Sequence, residues 1–209
     1  ARPTELSTRL EELGLELVAE TTHKPDEQDF VGSISKLRDA DCDIVATAIG
    51  VRQTIVAFGT AKKLGWTDAS FIGSSAGFNT AVAKVPEGVT EGYYAAAGWV
   101  DFENRLDVPE VKEWAENYQA KTGEPAGTAA QLGYGAANTL VEALKAAGPD
   151  LTAESFKEGM ESLSFYDLIL NVPIKYGPDD HQGGDLIVIS KIEGGKWVEV
   201  GRVDPTKSQ

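Results

Sequence analysis

A glycine- and serine-rich segment carries the pattern closest to a catalytic motif. Residues 73–77 read G-S-S-A-G and fit the G-x-S-x-G nucleophile elbow, with Ser75 at the centre. Several aspartates and His181 follow, in the Ser…Asp…His order of such hydrolases. However, Pro86 interrupts the supporting helix, and no HGGG-type oxyanion segment lies upstream. A serine hydrolase that uses Ser75 is therefore the less favoured hypothesis.

The alternative is that this loop binds a ligand without reacting with it. Residues 49–52 and 73–77 both follow predicted strands, and open α/β sheets bind ligands beyond the carboxyl ends of their strands. Glycines let the backbone approach a ligand, while hydroxyls and free N–H groups make directional contacts. Two simpler interpretations stay open. In the first, residues 73–77 form a turn whose serines are solvated. In the second, Arg52 faces solvent at the start of a helix.

Composition excludes several classes of function. The 209 residues carry a formal net charge of -14, which argues against binding to nucleic acid or to anionic lipid. The single cysteine, Cys42, excludes an internal disulfide and a cysteine-built zinc site, and it precedes an apolar run that predicts a buried, unreactive thiol. With only His23 and His181 besides, we expect no metal and no cofactor. We also expect no membrane insertion and a soluble chain whose targeting peptide, if any, is removed.

The hydrophobic pattern alternates between helix and strand over the first hundred residues. Helices are predicted from Thr4 to Gly14 and at 30–37 and 55–64, and strands at 15–19, 43–49, 69–73 and 91–100. This order predicts an α/β fold with a parallel, Rossmann-like sheet that is flanked by helices.

The second half of the chain has a different order. Three amphipathic helices are predicted in succession, at 111–118, 129–147 and 152–163, and they are followed by strands at 170–176, 186–192 and 196–200. Consecutive amphipathic helices need a sheet or a partner to cover them, and the nearby strands belong to the first unit. We therefore expect that part of a second domain is missing from this chain.

Segments spread over nearly the whole chain carry a family resemblance through their order and spacing. They are R-L-E-E-L-G-L-E-L-V-A-E at 9–20, D-F-V-G-S-I-S-K-L at 29–37, A-K-K-L-G-W at 61–66, G-Y-G-A-A at 133–137, E-A-L-K-A-A-G at 142–148, P-D-D-H-Q-G at 178–183 and G-G-K-W-V-E-V at 194–200. With these segments the chain resembles type I periplasmic substrate-binding proteins of the branched-chain amino-acid ABC transporter family, which includes Leu/Ile/Val-binding proteins.

The resemblance implies the type I periplasmic-binding-protein fold, in which two α/β lobes are joined by crossing strands. Residues 1–98 and 185–209 would form most of lobe two. Residues 99–184 would form the remainder of lobe one, mainly helical, with hinge strands. It further implies a non-enzymatic, periplasmic or extracytoplasmic solute-binding component of an ABC importer, with a transporter permease as partner. A ligand-sensing domain of a regulator or receptor with the same fold is the alternative.

By resemblance, the ligand-binding residues are Gly50, Val51, Arg52, Ser74, Ser75, Ala76, Ala129 and Gln131.

Three of these positions carry the expectation about the ligand. Amino-acid binders of the family hold the ligand ammonium with an acidic residue where this chain has Ser75, and pocket aromatics match Gly50 and Ala129. A buried ammonium without a carboxylate is costly. We therefore expect a ligand bulkier than leucine, an aromatic or other organic carboxylate paired with Arg52, with an amino acid as the alternative.

Two polar residues have a simpler interpretation. For Gln131 the alternative to ligand binding is a polar cap contact, and His181 is expected to be structural.

Overall fold

The computed structural model describes residues 5–205 and 207. Its helices are α1 Glu5–Glu12, α2 Val31–Asp39, α3 Val51–Lys63, α4 Thr80–Ala83, α5 Pro109–Thr122, α6 Thr128–Ala147 and α7 Ala153–Glu161. Its strands are β1 Ile44–Thr47, β2 Ser70–Gly73, β3 Tyr94–Ala97, β4 Ser164–Asp167, β5 Val172–Lys175, β6 Ile187–Glu193 and β7 Lys196–Val203. Thr4, predicted to open the first helix, and the ends of the predicted lobe-two range lie outside the described residues.

One five-stranded sheet has the order β1-β2-β3-β6-β7. The first three strands run parallel, which confirms the predicted sheet, because each is reached through a connection long enough to return to the same edge. The predicted hairpin is β6–β7, and its turn uses Gly194 and Gly195 at φ of 59° and 74°. Since β6 pairs antiparallel to β3, the complete sheet is mixed.

Aromatic side chains fill the space between α3 and the sheet. Phe58 packs edge-on against Phe71 and Tyr93, with ring centroids 5.2 and 5.3 Å apart. Phe78 packs against Trp197 at 4.5 Å, and both rings are 1% exposed. Burial of each such side chain stabilises the fold by about 1.5–3 kcal/mol, so this cluster fixes the strands that lead to the loops.

The helical unit consists of α5, α6, α7 and the two-stranded β4–β5 sheet. Helices α6 and α7 pack closely at Gly159, where an added Cβ would lie 2.7 Å from the carbonyl oxygen of Ala143. Helix α6 also leaves apolar side chains exposed, namely Leu132, Leu140, Val141 and Leu144. Strand β4 was missed by the sequence analysis, since its residues 164–167 fall between a predicted helix and a predicted strand.

One edge of the large sheet is open within the described residues. Strand β1 pairs only with β2, and its Ile44 is 66% exposed. The strand predicted at 15–19 is wrong, because this segment pairs with no described strand and leaves Leu15 and Leu17 54% and 46% exposed. A cavity of about 380 Å³ lies between residues 21–23, α2 and β1.

Cys42 lies beside this edge and is partly buried rather than fully buried as predicted. Burial, together with Asp41 and Asp43, raises the pKa of its thiol, which lowers the thiolate fraction and so its reactivity. No helix among residues 5–205 combines the length and apolarity that a membrane span needs.

Candidate ligand-binding site

The loops after β1 and β2 leave the sheet side by side. Thr47 pairs with Gly73 at the last position of the two parallel strands. The next backbone amide, of Ser74, donates to the carbonyl of Thr47 at 2.9 Å. The structure therefore brings the predicted loop residues at 50–52 and 74–76 to one edge of the sheet, where parallel α/β sheets bind ligands.

The first loop ends at the amino end of α3. Gly50 is the N-cap, and no described side chain caps this end of the helix. The first intrahelical hydrogen bond runs from the amide of Thr54 to the carbonyl of Gly50 at 2.9 Å. The preceding N–H groups, of Val51, Arg52 and Gln53, thus lie at the positive end of the helix dipole, an arrangement that favours an anion. Arg52 is exposed at the same end.

The second loop is a turn with exposed residues at its tip. The carbonyls of Ser74 and Ser75 accept hydrogen bonds from the amides of Gly77 and Phe78, at 3.0 and 3.2 Å. Ser75 and Ala76 are exposed, and Ser74 is half-buried. Ser75 does not have the positive φ that marks strained backbone, which among non-glycine residues 5–205 occurs at Asp41, Glu87 and Asn171. The loop therefore lacks the strained geometry of a nucleophile elbow.

A buried tyrosine explains the two glycines of this loop. The Tyr93 side chain is 1% exposed, and its hydroxyl lies 2.7 Å from Oγ1 of Thr47. A Cβ on Gly73 would lie 2.1 Å from the Tyr93 oxygen, and one on Gly77 would lie 2.9 Å from Oγ1 of Thr54. Burial raises the pKa of the Tyr93 phenol. Gly73 and Gly77 are thus required by packing against the hydroxyl cluster of Thr47, Thr54 and Tyr93. Their spacing does not need a nucleophile to explain it.

The two histidines make their hydrogen bonds away from the turn at residues 74–77. His181 Nε2 lies 2.9 Å from Oε1 of Glu161, and this bond lowers the pKa of that carboxyl. His23 Nδ1 lies 2.9 Å from the carbonyl of Lys24. The Ser…Asp…His order in the sequence therefore does not assemble into a triad among the described residues. His181 instead ties the turn at 178–183 to α7.

The two predicted site residues on α6 differ in environment. Ala129 is exposed at the first turn. Gln131 has no exposed surface, and its Nε2 donates to the carbonyls of Val100 and Ile169 at 2.7 and 2.8 Å. Gln131 thus contacts backbone rather than solvent in this structure, and it fixes the start of α6 to the segment that follows β3.

Two threonines that the sequence analysis did not single out join the loop region to α6. The amide of Thr80 donates to Oγ1 of Thr128 at 2.8 Å, and the amide of Thr128 donates to Oγ1 of Thr80 at 3.1 Å. Each is the first residue of its helix, where the amide has no acceptor within the helix. The two threonines could be read from the sequence, but their pairing across 48 residues could not.

Comparison with known proteins supports the fold. The chain matches the family model described as periplasmic binding protein over residues 4–196. It is similar to a fatty acid ABC transporter substrate-binding protein from Thermomonospora curvata, with 26% identity and a TM-score of 0.81, covering 95% of this chain and 53% of that one. No curated protein sequence is significantly similar.

Two further solved structures share the fold at lower identity. One is a branched chain amino acid ABC transporter from Thermus thermophilus with bound valine, with 18% identity and a TM-score of 0.79, covering 93% of this chain and 55% of that one. The other is a solute binding protein from R. palustris in complex with benzoate, with 18% identity and a TM-score of 0.76, covering 94% and 53%. The chain thus spans about half the length of these structures.

Proposed function

Because the chain belongs to the periplasmic binding protein family, we propose that it forms part of the solute-binding component of an ABC importer. The family consists of binding proteins rather than enzymes. The proposed ligand is a small organic carboxylate without an ammonium group, held between two lobes outside the cytoplasm. A transporter permease would recognise the closed, ligand-bound form.

The observation that carries the ligand class is the charge balance at the carboxyl edge of the sheet. The amino end of α3 and Arg52 supply positive potential there, while residues 48–52 and 74–77 contain no acidic residue. In a protein of net charge -14, this local balance favours an anion. A ligand ammonium would find hydroxyls and carbonyls but no carboxylate in these loops, and burial of an unpaired charge is costly.

The ligands of two similar proteins agree with this class. Fatty acids and benzoate are carboxylates without an ammonium, and they are the ligands named for the proteins from Thermomonospora curvata and R. palustris. The valine-bound and benzoate-bound neighbours both have 18% identity to this chain, against 26% for the fatty-acid protein. The exposed Ala129 and the small Gly50 leave room for a ligand larger than valine.

We also propose two lobes, with residues 1–98 and 185–209 in lobe two and residues 99–184 in the remainder of lobe one. The five-stranded sheet with α2, α3 and α4 falls in the first range, and the helical unit falls in the second. The chain crosses between them after β3 and before β6. Ligand binding would favour closure only if both lobes contact the ligand, which Ala129 at the start of α6 would do for lobe one.

The test is a thermal-shift and calorimetric titration of the protein, in a form that supplies both proposed lobes, with octanoate, benzoate and leucine. A carboxylate that binds should raise the melting temperature by several degrees at saturating concentration, because it stabilises only the folded state. We expect octanoate or benzoate to do so and leucine not to. Stabilisation by leucine alone would refute the assigned ligand class.

A further inference from the structure

Two reciprocal hydrogen bonds join the sheet unit, which is the five-stranded sheet with α2, α3 and α4, to the helical unit. They lie beside the serine loop, which is the turn at residues 74–77. We propose that Thr80 and Thr128 act as a hydroxyl latch, defined as this pair and its hydrogen bonds, that positions the serine loop against the start of α6. The latch would set the spacing of the two lobes at the ligand site. This role in ligand binding rests on the proposed function, whereas the positioning itself does not need a ligand.

The geometry of the latch is that of a helix cap shared between two helices. Each threonine accepts at its Oγ1 from the backbone amide of the other, and the two hydroxyl oxygens are 2.9 Å apart. Helix α6 begins after Gly127, which has no side chain to serve as a cap, so the hydroxyl of Thr80 fills that role from outside the helix. Helix α4 has its own cap, since Asn79 accepts from the amide of Ala81 at 2.9 Å. Separation of the two units would therefore leave α6 uncapped.

In the sheet unit, a short and well-packed stretch of chain connects Thr80 of the latch to the serine loop. Phe78 is 1% exposed and packs on Trp197, and the carbonyl of Asn79 accepts from Trp197 Nε1 at 2.9 Å. Thr80 follows directly and lies three residues after Gly77. A shift of Thr80 would thus displace the loop at 74–77 rather than be absorbed by flexible chain.

On the helical side, the same turn of α6 is held from a second direction. Thr128 is 4% exposed, and one turn later Gln131 binds the carbonyls of Val100 and Ile169. Val100 lies in the segment where the chain leaves β3. The start of α6 is therefore fixed both to the chain crossing and, through the latch, to the ligand loop.

Other contacts between the two units lie at the chain crossings or involve more exposed side chains. At the crossings, Val188 packs with Val100 and Val172, and Phe78 packs with Trp99. Elsewhere the polar contacts include the hydrogen bond of Asn104 to the carbonyl of Trp197, that of Arg202 to the carbonyl of Asn171, and the ion pair of Lys84 with Glu103. The donors of these three contacts are exposed side chains, which tolerate rearrangement by water, whereas Thr128 is 4% exposed and the latch joins two helix ends. The latch is therefore the polar contact expected to restrict relative movement near the ligand.

The experiment compares valine and serine substitutions in the whole 209-residue chain. Valine keeps the shape of threonine and removes the hydroxyl, while serine keeps the hydroxyl. The variants are T80V, T128V, the double valine variant and the matched controls T80S and T128S. Nitroxide labels at Lys63→Cys on α3 and Glu116→Cys on α5, in a Cys42→Ser background, report the distance between the two units. Hydrogen exchange of the Thr128 amide reports the cap itself.

We expect the valine variants to broaden or shift the label distance distribution and the serine variants to retain the parent distribution. Exchange of the Thr128 amide should accelerate about tenfold in T80V, as expected for the loss of one cap. An unchanged distribution in both valine variants would overturn the latch, and so would equal broadening by serine, which would assign the effect to packing. Since no ligand is present, the absence of carboxylate binding would refute the proposed function and leave this result intact.

Discussion

The hydroxyl of Tyr93 occupies the space that a side chain on Gly73 would need. An added Cβ there would lie 2.1 Å from the phenol oxygen, well inside van der Waals contact. The same hydroxyl lies 2.7 Å from Oγ1 of Thr47, at the end of the neighbouring strand β1. The glycine that makes residues 73–77 look like a nucleophile elbow is therefore required by packing at the strand ends that lead into the two candidate loops.

Gly73→Ala should destabilise the protein by about 1–3 kcal/mol, the usual cost of overpacking a well-filled site. Gly32→Ala is the control, because a Cβ at this glycine within α2 meets no atom within 4 Å and the change should stabilise the helix slightly. Removing the phenol oxygen in a Gly73→Ala, Tyr93→Phe double variant should restore part of the loss. Urea unfolding measures all three. Equal stability of the Gly73 and Gly32 variants would contradict this account.

Arg52 and Ser75 provide a prediction about ligand charge. Arg52→Gln should weaken carboxylate binding about 10- to 100-fold, the range for loss of one charge-assisted hydrogen bond, without lowering stability, because Arg52 is exposed. Ser75→Glu should weaken it further through like-charge repulsion and should favour a ligand with an ammonium. Titration calorimetry of the full-length variants with octanoate, benzoate and leucine measures both effects. Tight carboxylate binding by Ser75→Glu would place the carboxylate elsewhere.

Asp101 predicts an unusual pH dependence of stability. It is 1% exposed, and burial raises the pKa of its carboxyl from 3.8 to about 6. The charge of Glu103 also raises this pKa, whereas the hydrogen bond from the Glu103 amide and the charges of Lys84 and Lys196 lower it. A raised carboxyl pKa means that the folded state holds the proton more tightly than the unfolded state. This group therefore adds stability as the pH falls from about 6 to 4, and that contribution is lost as the pH rises.

Asp101→Asn should remove this dependence and, at neutral pH, should raise stability by up to about 3 kcal/mol. The asparagine oxygen can still accept from the amide of Glu103, which donates to Asp101 Oδ1 at 2.9 Å. The measurement is the difference in unfolding free energy between the two proteins across pH 4 to 8. A constant difference over that range would mean that Asp101 does not titrate as stated.

Elements defined by local pattern could be predicted from the sequence. The parallel strands β1, β2 and β3, the hairpin β6–β7 and the long α6 follow from periodicity and from glycine at turns. The position of the two ligand loops follows as well, since parallel strands present their carboxyl ends at one edge. The strand expected at 15–19 did not form, because a strand needs a partner and none of the described strands supplies one.

Contacts between distant residues could not be predicted in this way. Gln131 reaches carbonyls 31 and 38 residues away, so its buried role depends on how α6 packs rather than on its own sequence context. The contact between Tyr93 and Thr47 spans 46 residues, so the sequence shows the glycines without the hydroxyl that requires them. The family resemblance identified the positions of the candidate site residues. Packing determines which of their side chains face solvent, and this packing could not be predicted from the sequence.

The open edge of β1 provides the last prediction. The carbonyls of Asp43 and Thr47 accept from the amides of Ser70 and Ser74, so alternate residues point their backbone toward β2. The N–H of Ala46 must then point to the open edge, because backbone groups alternate in direction along a strand. In this chain Ala46→Pro removes no ladder hydrogen bond and should cost little, whereas Val45→Pro should unfold the sheet. In the full-length protein we expect another strand to cover this edge, so that Ala46→Pro becomes destabilising by several kcal/mol. Urea unfolding of both variants in both lengths measures the difference, and equal tolerance of Ala46→Pro in the two would show that the edge stays open.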